Sequence, residues 1–190
     1  MDKITQAITI LNQGGIVIFP TDTAFGIGCR MDNESAIQKL FRIRRRPQTQ
    51  AASVLVSGIE MAEHYLLPLK SEVKELMQKY WPGGLTIFYP SKIALIPELV
   101  RAGNNLGVRM PDQQTALELI SGTGVPILGP SANFHGEQTP YTFSDLNPKL
   151  IKLVDFVLSG TCKTKQASTV INCSLTPWHI IRQGSINITI

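Results

Sequence analysis

An α/β (α+β) fold in a single domain, residues 1–190, is predicted by two observations. Helix-period and strand-like segments alternate along the chain, with no internal repeat, low-complexity tract or long linker between them. Hydrophobic residues make up 43% and charged residues 17%, a composition that buries a core rather than staying disordered. At 190 residues one compact domain is favoured over two.

The elements follow in order. Ile4, Ala7, Ile8 and Leu11 fall at helical spacing, so a helix is expected over about residues 3–13, ended by Gly14-Gly15. Ile16 to Phe19 reads as a buried strand stopped by Pro20. Asp32 is the expected N-cap of a second helix that carries Ile37, Leu40 and Phe41 on one face and is closed by Pro47. Ser53–Val56 is a short strand. Val73, Leu76, Met77 and Tyr80 mark a helix broken by Trp81-Pro82-Gly83-Gly84, and Leu85–Tyr89 is the next strand. Strands are expected at Leu106–Met110, Pro126–Leu128, Val154–Leu158, Ser168–Asn172 and Trp178–Arg182, with a helix at Gln113–Ile120. These elements are expected to surround one twisted sheet.

The formal charge is +4 and the isoelectric point about 9.1, which permits an anionic partner without demanding one. Cys29, Cys162 and Cys173 are odd in number and widely spaced, which reads as reduced thiols rather than a zinc site. The N-terminus lacks a signal-peptide run, and apolar runs such as Ile16 to Pro20 are far too short to span a membrane. A soluble, cytoplasmic protein is therefore expected.

Four polar segments interrupt the apolar elements. Pro20-Thr21-Asp22-Thr23-Ala24-Phe25-Gly26-Ile27-Gly28 crowds two hydroxyls and a carboxylate before paired glycines; a side-chain-capped turn explains it as simply as a ligand site does. Arg42-Ile43-Arg44-Arg45-Arg46-Pro47 offers guanidinium forks suited to phosphate. Cations complementing a helix C-terminus are the plainer explanation of Arg42 and Arg45. If the helix runs that far, Arg42, Arg45 and Arg46 share one face. Gly129-Pro130-Ser131-Ala132-Asn133-Phe134-His135-Gly136 shows a hydroxyl and an amide at a strand end, as an Asx or Ser turn also would. Ser168-Thr169 and Arg182-Gln183-Gly184 would meet at a sheet edge if their strands pair. The chain has no G-x-x-x-x-G-K-[ST] loop and no G-x-S-x-G elbow, and His64, His135 and His179 lack metal-ligand neighbours. Chemistry by positioning and charge stabilisation remains.

At these segments the chain strongly resembles the YrdC-like family of threonylcarbamoyl-AMP synthases. The family's P-T-[DE]-T-x-[YF]-G-[LIV]-G matches Pro20–Gly28, K-x-R-P matches Arg44–Pro47, W-P-G-x-L-T matches Trp81–Thr86 and V-R-x-P matches Val108–Pro111. P-S-A-N matches Pro130–Asn133, S-T-[VI]-[IV] matches Ser168–Ile171 and R-x-G matches Arg182–Gly184. The motifs agree in order over about Ile4 to Ile186, in what looks like the family's short form. Two positions depart: Arg44 replaces the usual lysine, and Gly84 a frequent proline.

The resemblance implies a twisted sheet enclosing a large, positively lined cavity. It also implies a nucleotidyltransferase that joins L-threonine, bicarbonate and ATP into threonylcarbamoyl-adenylate and pyrophosphate, usually assisted by Mg2+. A separate transferase complex would then move the threonylcarbamoyl group to tRNA. By carry-over, Arg44 and Arg46 are the catalytic, phosphate-holding residues. Ser131, Asn133, Thr139 and Arg182 also bind ATP, and Thr21, Thr23, Arg109 and Ser168 bind threonine. Two other readings stand beside it. One is a double-stranded or ribosomal RNA-binding module using the same basic cavity, for which +4 is a modest charge. The other is a carbamoyl-adenylate former, usually embedded in a much longer chain.

Overall fold

The computed structural model describes residues 2–188. Helix α1 (Lys3–Asn12) starts where the Asp2 carboxylate accepts the Ile4 and Thr5 N–H groups at 3.0 Å each. Its buried face, Ala7 and Leu11, packs on helix α5 (Gln114–Thr123). A Cβ on Gly122 would lie 2.4 Å from Ile8 Cδ1, so glycine sets how closely these helices approach.

Strand β1 (Val17–Pro20) is wholly buried and forms a hairpin with β2 (Phe25–Gly28), Val17 opposite Gly28 and Pro20 opposite Phe25. Strand β7 (Phe156–Val157) adds in parallel on the other side, giving the order β2-β1-β7. A second sheet holds β3 (Val54–Leu55), β4 (Leu85–Pro90), β5 (Asn105–Arg109), β6 (Ile127–Leu128), β8 (Thr169–Asn172) and β9 (His179–Arg182), in the order β6-β3-β5-β4-β8-β9. The expectation of one sheet is thus corrected to two mixed sheets. They are laced together along β2 and its continuation: Ile27 N–H donates to Pro130 O at 2.9 Å, Ala132 N–H to Phe25 O at 2.8 Å and Leu128 N–H to Cys29 O at 2.9 Å. That lacing lays the Ser131–Asn133 loop across the outer edge of the first hairpin.

Helix α2 (Glu34–Arg44) buries Ile37, Leu40 and Phe41 as expected, but its N-cap is Asn33, which accepts the Ala36 N–H at 3.0 Å. Asp32 is instead paired with Arg30 at 2.7 Å. Helices α3 (Ile59–Tyr65), α4 (Ser71–Tyr80) and α6 (Pro148–Ile151) complete the set; α3 and α6 were not anticipated. One core cluster runs from Ile16 and Phe25 through α2, β4 and β5, and another fills the space between α1, α5 and β1. No helix among the described residues is long and apolar enough to cross a membrane.

Candidate active site

Strand ends and their loops converge on a cavity of about 390 Å³. Thr21, Thr23, Arg109 and Ser168 line it, as do Arg44, Arg46, Ser131, Thr139 and Arg182. Asn133, expected on the wall, stands behind it. Its Oδ1 accepts from Arg44 Nη2 at 3.2 Å and from the Ser131 hydroxyl at 2.6 Å, and its Nδ2 donates to Glu137 O at 2.6 Å.

The Thr21–Ala24 turn joins β1 to β2. The Thr21 hydroxyl donates to Ala24 O at 2.7 Å and accepts the Thr23 and Ala24 N–H groups at 3.2 Å, so the turn is side-chain capped. It also faces the cavity. The two readings of this segment are therefore compatible: the capping that shapes the turn aims Thr23 at the end of β5. There Arg109 Nη1 donates to Thr23 Oγ1 at 2.6 Å, and Nη2 donates to the Asp22 carboxylate at 2.5 Å. Arg109 is buried. Burial lowers the pKa of its guanidinium and Arg182 lowers it further, while Asp22 opposes the shift.

Arg44 is the last residue of α2 and is also buried. Its Nε donates to Asn133 O at 3.1 Å, and Nη1 has no hydrogen-bond partner among the described residues. Burial, aided by the neighbouring Arg46 cation, pushes its pKa down to about 10. The backbone then turns sharply. Arg45 takes a left-handed conformation (φ 53°), which an L-residue adopts at some cost, and lies 4.5 Å from the Phe134 ring centroid. The reversal returns Arg46 to the cavity, held by Gln50 O at 3.2 Å and Ala51 O at 2.5 Å. The expected shared face of Arg42, Arg45 and Arg46 is therefore not formed, because α2 ends at Arg44. Arg44 and Arg46 turn inward, while Arg42 and Arg45 are exposed.

Strands β8 and β9 do pair, and Arg182 meets Ser168 across them. Arg182 Nη2 donates to Ser168 O at 2.8 Å and to its Oγ at 3.2 Å. Ser168 Oγ lies 2.9 Å from Thr86 Oγ1 on β4. Sequence reasoning gave Thr86 no site role, although it was quoted in a motif; a buried hydroxyl between Leu85 and Ile87 was the available signal. Asp22 was likewise given none. Leu55, Phe88 and Val170 supply an apolar floor. Four guanidinium groups line the cavity and no Asp or Glu does, among the described residues.

Burial pushes the thiols of Cys29 and Cys173 up to about 12, which leaves them protonated and unreactive near neutrality. Among the described residues no cluster of three His, Cys, Asp or Glu side chains is placed to hold a metal ion.

Fold and cavity together define an α/β protein with a guanidinium-lined polar site. The Sua5/YciO/YrdC family model, described as "Telomere recombination", matches residues 9–184, and the chain belongs to that family. It is 33% identical to the threonylcarbamoyl-AMP synthase of Bacillus subtilis over 97% of this chain and 54% of that protein. It is 36% identical to the putative threonylcarbamoyl-AMP synthase of Methanocaldococcus jannaschii over 94% of this chain and 84% of that protein. The structure of Pyrococcus abyssi Sua5 complexed with L-threonine superposes with a TM-score of 0.88 at 28% identity, covering 96% of this chain and 54% of that one. The chain thus spans about half the length of the Bacillus and Pyrococcus relatives.

Proposed function

We propose that this chain is an L-threonylcarbamoyladenylate synthase, a nucleotidyltransferase that uses L-threonine, bicarbonate and ATP. The carrying observation is Arg44: a buried cation, beside a second cation, whose hydrogen bonds go only to neutral oxygens and one of whose nitrogens has no partner among the described residues. A buried charge without a counter-ion is costly unless a ligand supplies one. A polyphosphate supplies it here, and Arg46 and Arg182 extend the same lining. The names of the relatives, and the Sua5 complex with L-threonine, support the same reading.

In this scheme the amine of threonine takes up bicarbonate with loss of water to give a carbamate. A carbamate oxygen attacks the α-phosphorus of ATP, the bond to the β-phosphate oxygen breaks, and pyrophosphate leaves. No side chain need act as nucleophile. Arg44 and Arg46 hold the phosphates and stabilise charge as it develops, the role fixed cations play in phosphoryl chemistry. Ser131 and Thr139 contact the nucleotide, while Asn133 acts through Arg44 and Ser131. Arg109 takes the threonine carboxylate, with Thr21, Thr23 and Ser168 around it. Mg2+ would be held by the ATP phosphates as part of the substrate and would offset their charge, since among the described residues no carboxylate lines the cavity. The adenylate is unstable in water, so a separate transferase acting on tRNA would consume it, in the cytoplasm.

The test is pyrophosphate release from ATP. Release is expected only with threonine and bicarbonate together. Serine, lacking a methyl group worth about 1 kcal/mol in an apolar recess, should give slower release. Equal release with ATP alone would make the protein a nucleotide hydrolase.

A further inference from the structure

The four cavity arginines are not equivalent. Arg44, Arg46 and Arg182 donate only to carbonyl, hydroxyl or amide oxygens. Arg109 alone among them has a carboxylate, Asp22. That pair is buried, Arg109 at 6% and Asp22 at 2% exposure, so solvent screens it little. The same Asp22 oxygen also accepts the Asp112 N–H at 3.2 Å. The cavity is therefore zoned. Arg44 and Arg46 carry uncompensated positive charge, whereas Arg109, with the Arg182 cation near it, is paired with Asp22 and rimmed by the Thr21 and Thr23 hydroxyls.

We propose that Asp22 sorts the two ligands: by neutralising Arg109 it reserves that end for a zwitterionic amino acid and confines polyphosphate to the Arg44 and Arg46 end. This rests on the reading that the cavity binds both. A guanidinium has five N–H donors, and Arg109 spends one on Thr23 and one on Asp22, with its buried Nε unpartnered among the described residues. Donors therefore remain for one carboxylate. A pyrophosphate there would meet the Asp22 carboxylate directly behind its binding partner and gain little net attraction, whereas a zwitterion brings no net charge. Without Asp22, Arg109 would become another free cation, and a polyanion could occupy the amino-acid end.

The test is calorimetric titration with inorganic pyrophosphate, alone and against L-threonine, on wild type, Asp22→Asn, Arg109→Met and the double variant. Expected pyrophosphate affinity is highest for Asp22→Asn, about tenfold above wild type, because Arg109 is then free to take an anion, and lowest for Arg109→Met, about tenfold below, because the unpaired Asp22 carboxylate then repels one. The double variant should return to the wild-type value. Pyrophosphate should compete with L-threonine in Asp22→Asn and not in wild type. A gain of anion affinity is not something a merely structural lesion produces. If Asp22→Asn or Arg109→Met, each of which orphans one buried charge, does not fold, the double variant against wild type still decides the matter, because replacing both partners of a buried ion pair by neutral groups is well tolerated, and a double variant about tenfold weaker than wild type overturns the proposal. Affinity restored in the double variant supports the proposal. Affinity as low in the double variant as in Arg109→Met means Arg109 binds pyrophosphate itself, and overturns it; so does an Asp22→Asn protein indistinguishable from wild type. Failure of the functional reading shows separately, as wild-type protein that binds pyrophosphate but not L-threonine, and the affinity ranking then still decides the role of Asp22. No binding to any of the four overturns both.

Discussion

Arg44→Met is expected to lower kcat/KM for ATP by about 100-fold or more, the scale seen when one preorganised charge at a developing anion is removed. Arg44 has its position set three times over: by the end of α2, by Asn133 O and by Asn133 Oδ1. Arg44→Lys should keep the rate within about tenfold, because it retains the charge and loses only the fork to Asn133. Arg42→Ala, at an exposed position outside the cavity, should leave it unchanged. The same substitutions separate binding from folding. The folded-state pKa of Arg44, about 10, lies below the ordinary guanidinium range. The folded protein therefore gives up this proton more readily than the unfolded chain does. Holding Arg44 charged thus costs stability at neutral pH, a cost relieved as pH rises above about 10, or at neutral pH by a bound anion. Wild type should accordingly gain in Tm with pyrophosphate, and Arg44→Met should lose that gain. An Arg44→Met protein with wild-type kinetics and an undiminished Tm rise would remove Arg44 from the site.

Thr169→Val is expected to destabilise the fold by about 3 kcal/mol or more, read from the midpoint and slope of urea denaturation. The Thr169 side chain is fully buried, and its hydroxyl makes three bonds: it accepts from Gly184 N at 2.9 Å and Ile186 N at 3.2 Å, and donates to Ile186 O at 2.5 Å. Valine matches its shape but leaves the half-buried Gly184 and Ile186 N–H groups without their acceptor, where each orphaned polar group costs about 1–3 kcal/mol, while Ile186 O keeps the Gln183 Nε2 donor. The effect should reach the site. The segment after β9 is pinned to β8 by this hydroxyl and by Ser185 N–H donating to Ala167 O at 2.8 Å, and Arg182 lies just before it. KM for ATP should rise in whatever fraction folds. Thr9→Val, on the exposed face of α1, is the control and should change little. An unchanged denaturation midpoint for Thr169→Val would show that the hydroxyl does not hold the segment.

The site was legible where function constrains local chemistry. Paired hydroxyls after a strand, an arginine ahead of Pro47, and Ser131 after β6 all stand out from apolar surroundings, and seven short motifs in register tie them to one family. What stayed hidden depends on distant partners. Phe25–Gly28 belongs to a segment that reads as a capped turn or a ligand site, with no strand of its own, yet it is a buried strand. A Cβ on Gly28 would lie 2.1 Å from Leu128 O, so this glycine serves a close backbone approach across 100 residues rather than a turn. Asp22 looked like part of a cap, and its partner lies 87 residues away. The end of α2 was placed too late because nothing local announces that Arg45 takes φ 53°; its guanidinium stacks on Phe134, far along the chain. Asp32 and Asn33 are adjacent and equally able to cap, and Arg30 decides between them by engaging Asp32. Helix α3 follows Gly58, an N-cap with no side chain to bond the first turn, so it has no side-chain start signal to read. The division into two sheets follows from pairings of strands as short as two residues, whose register no single sequence carries.

The most direct measurement of the central claim follows the carbon. The protein is incubated with ATP, carbon-13 bicarbonate and L-threonine, and the nucleotide products are resolved by mass spectrometry. The account predicts an adenylate containing AMP, threonine and one labelled carbon, formed in step with pyrophosphate and absent when any one of the three substrates is left out. Formation of ADP with inorganic phosphate, or of AMP with no labelled threonyl adduct at the earliest times, would contradict it.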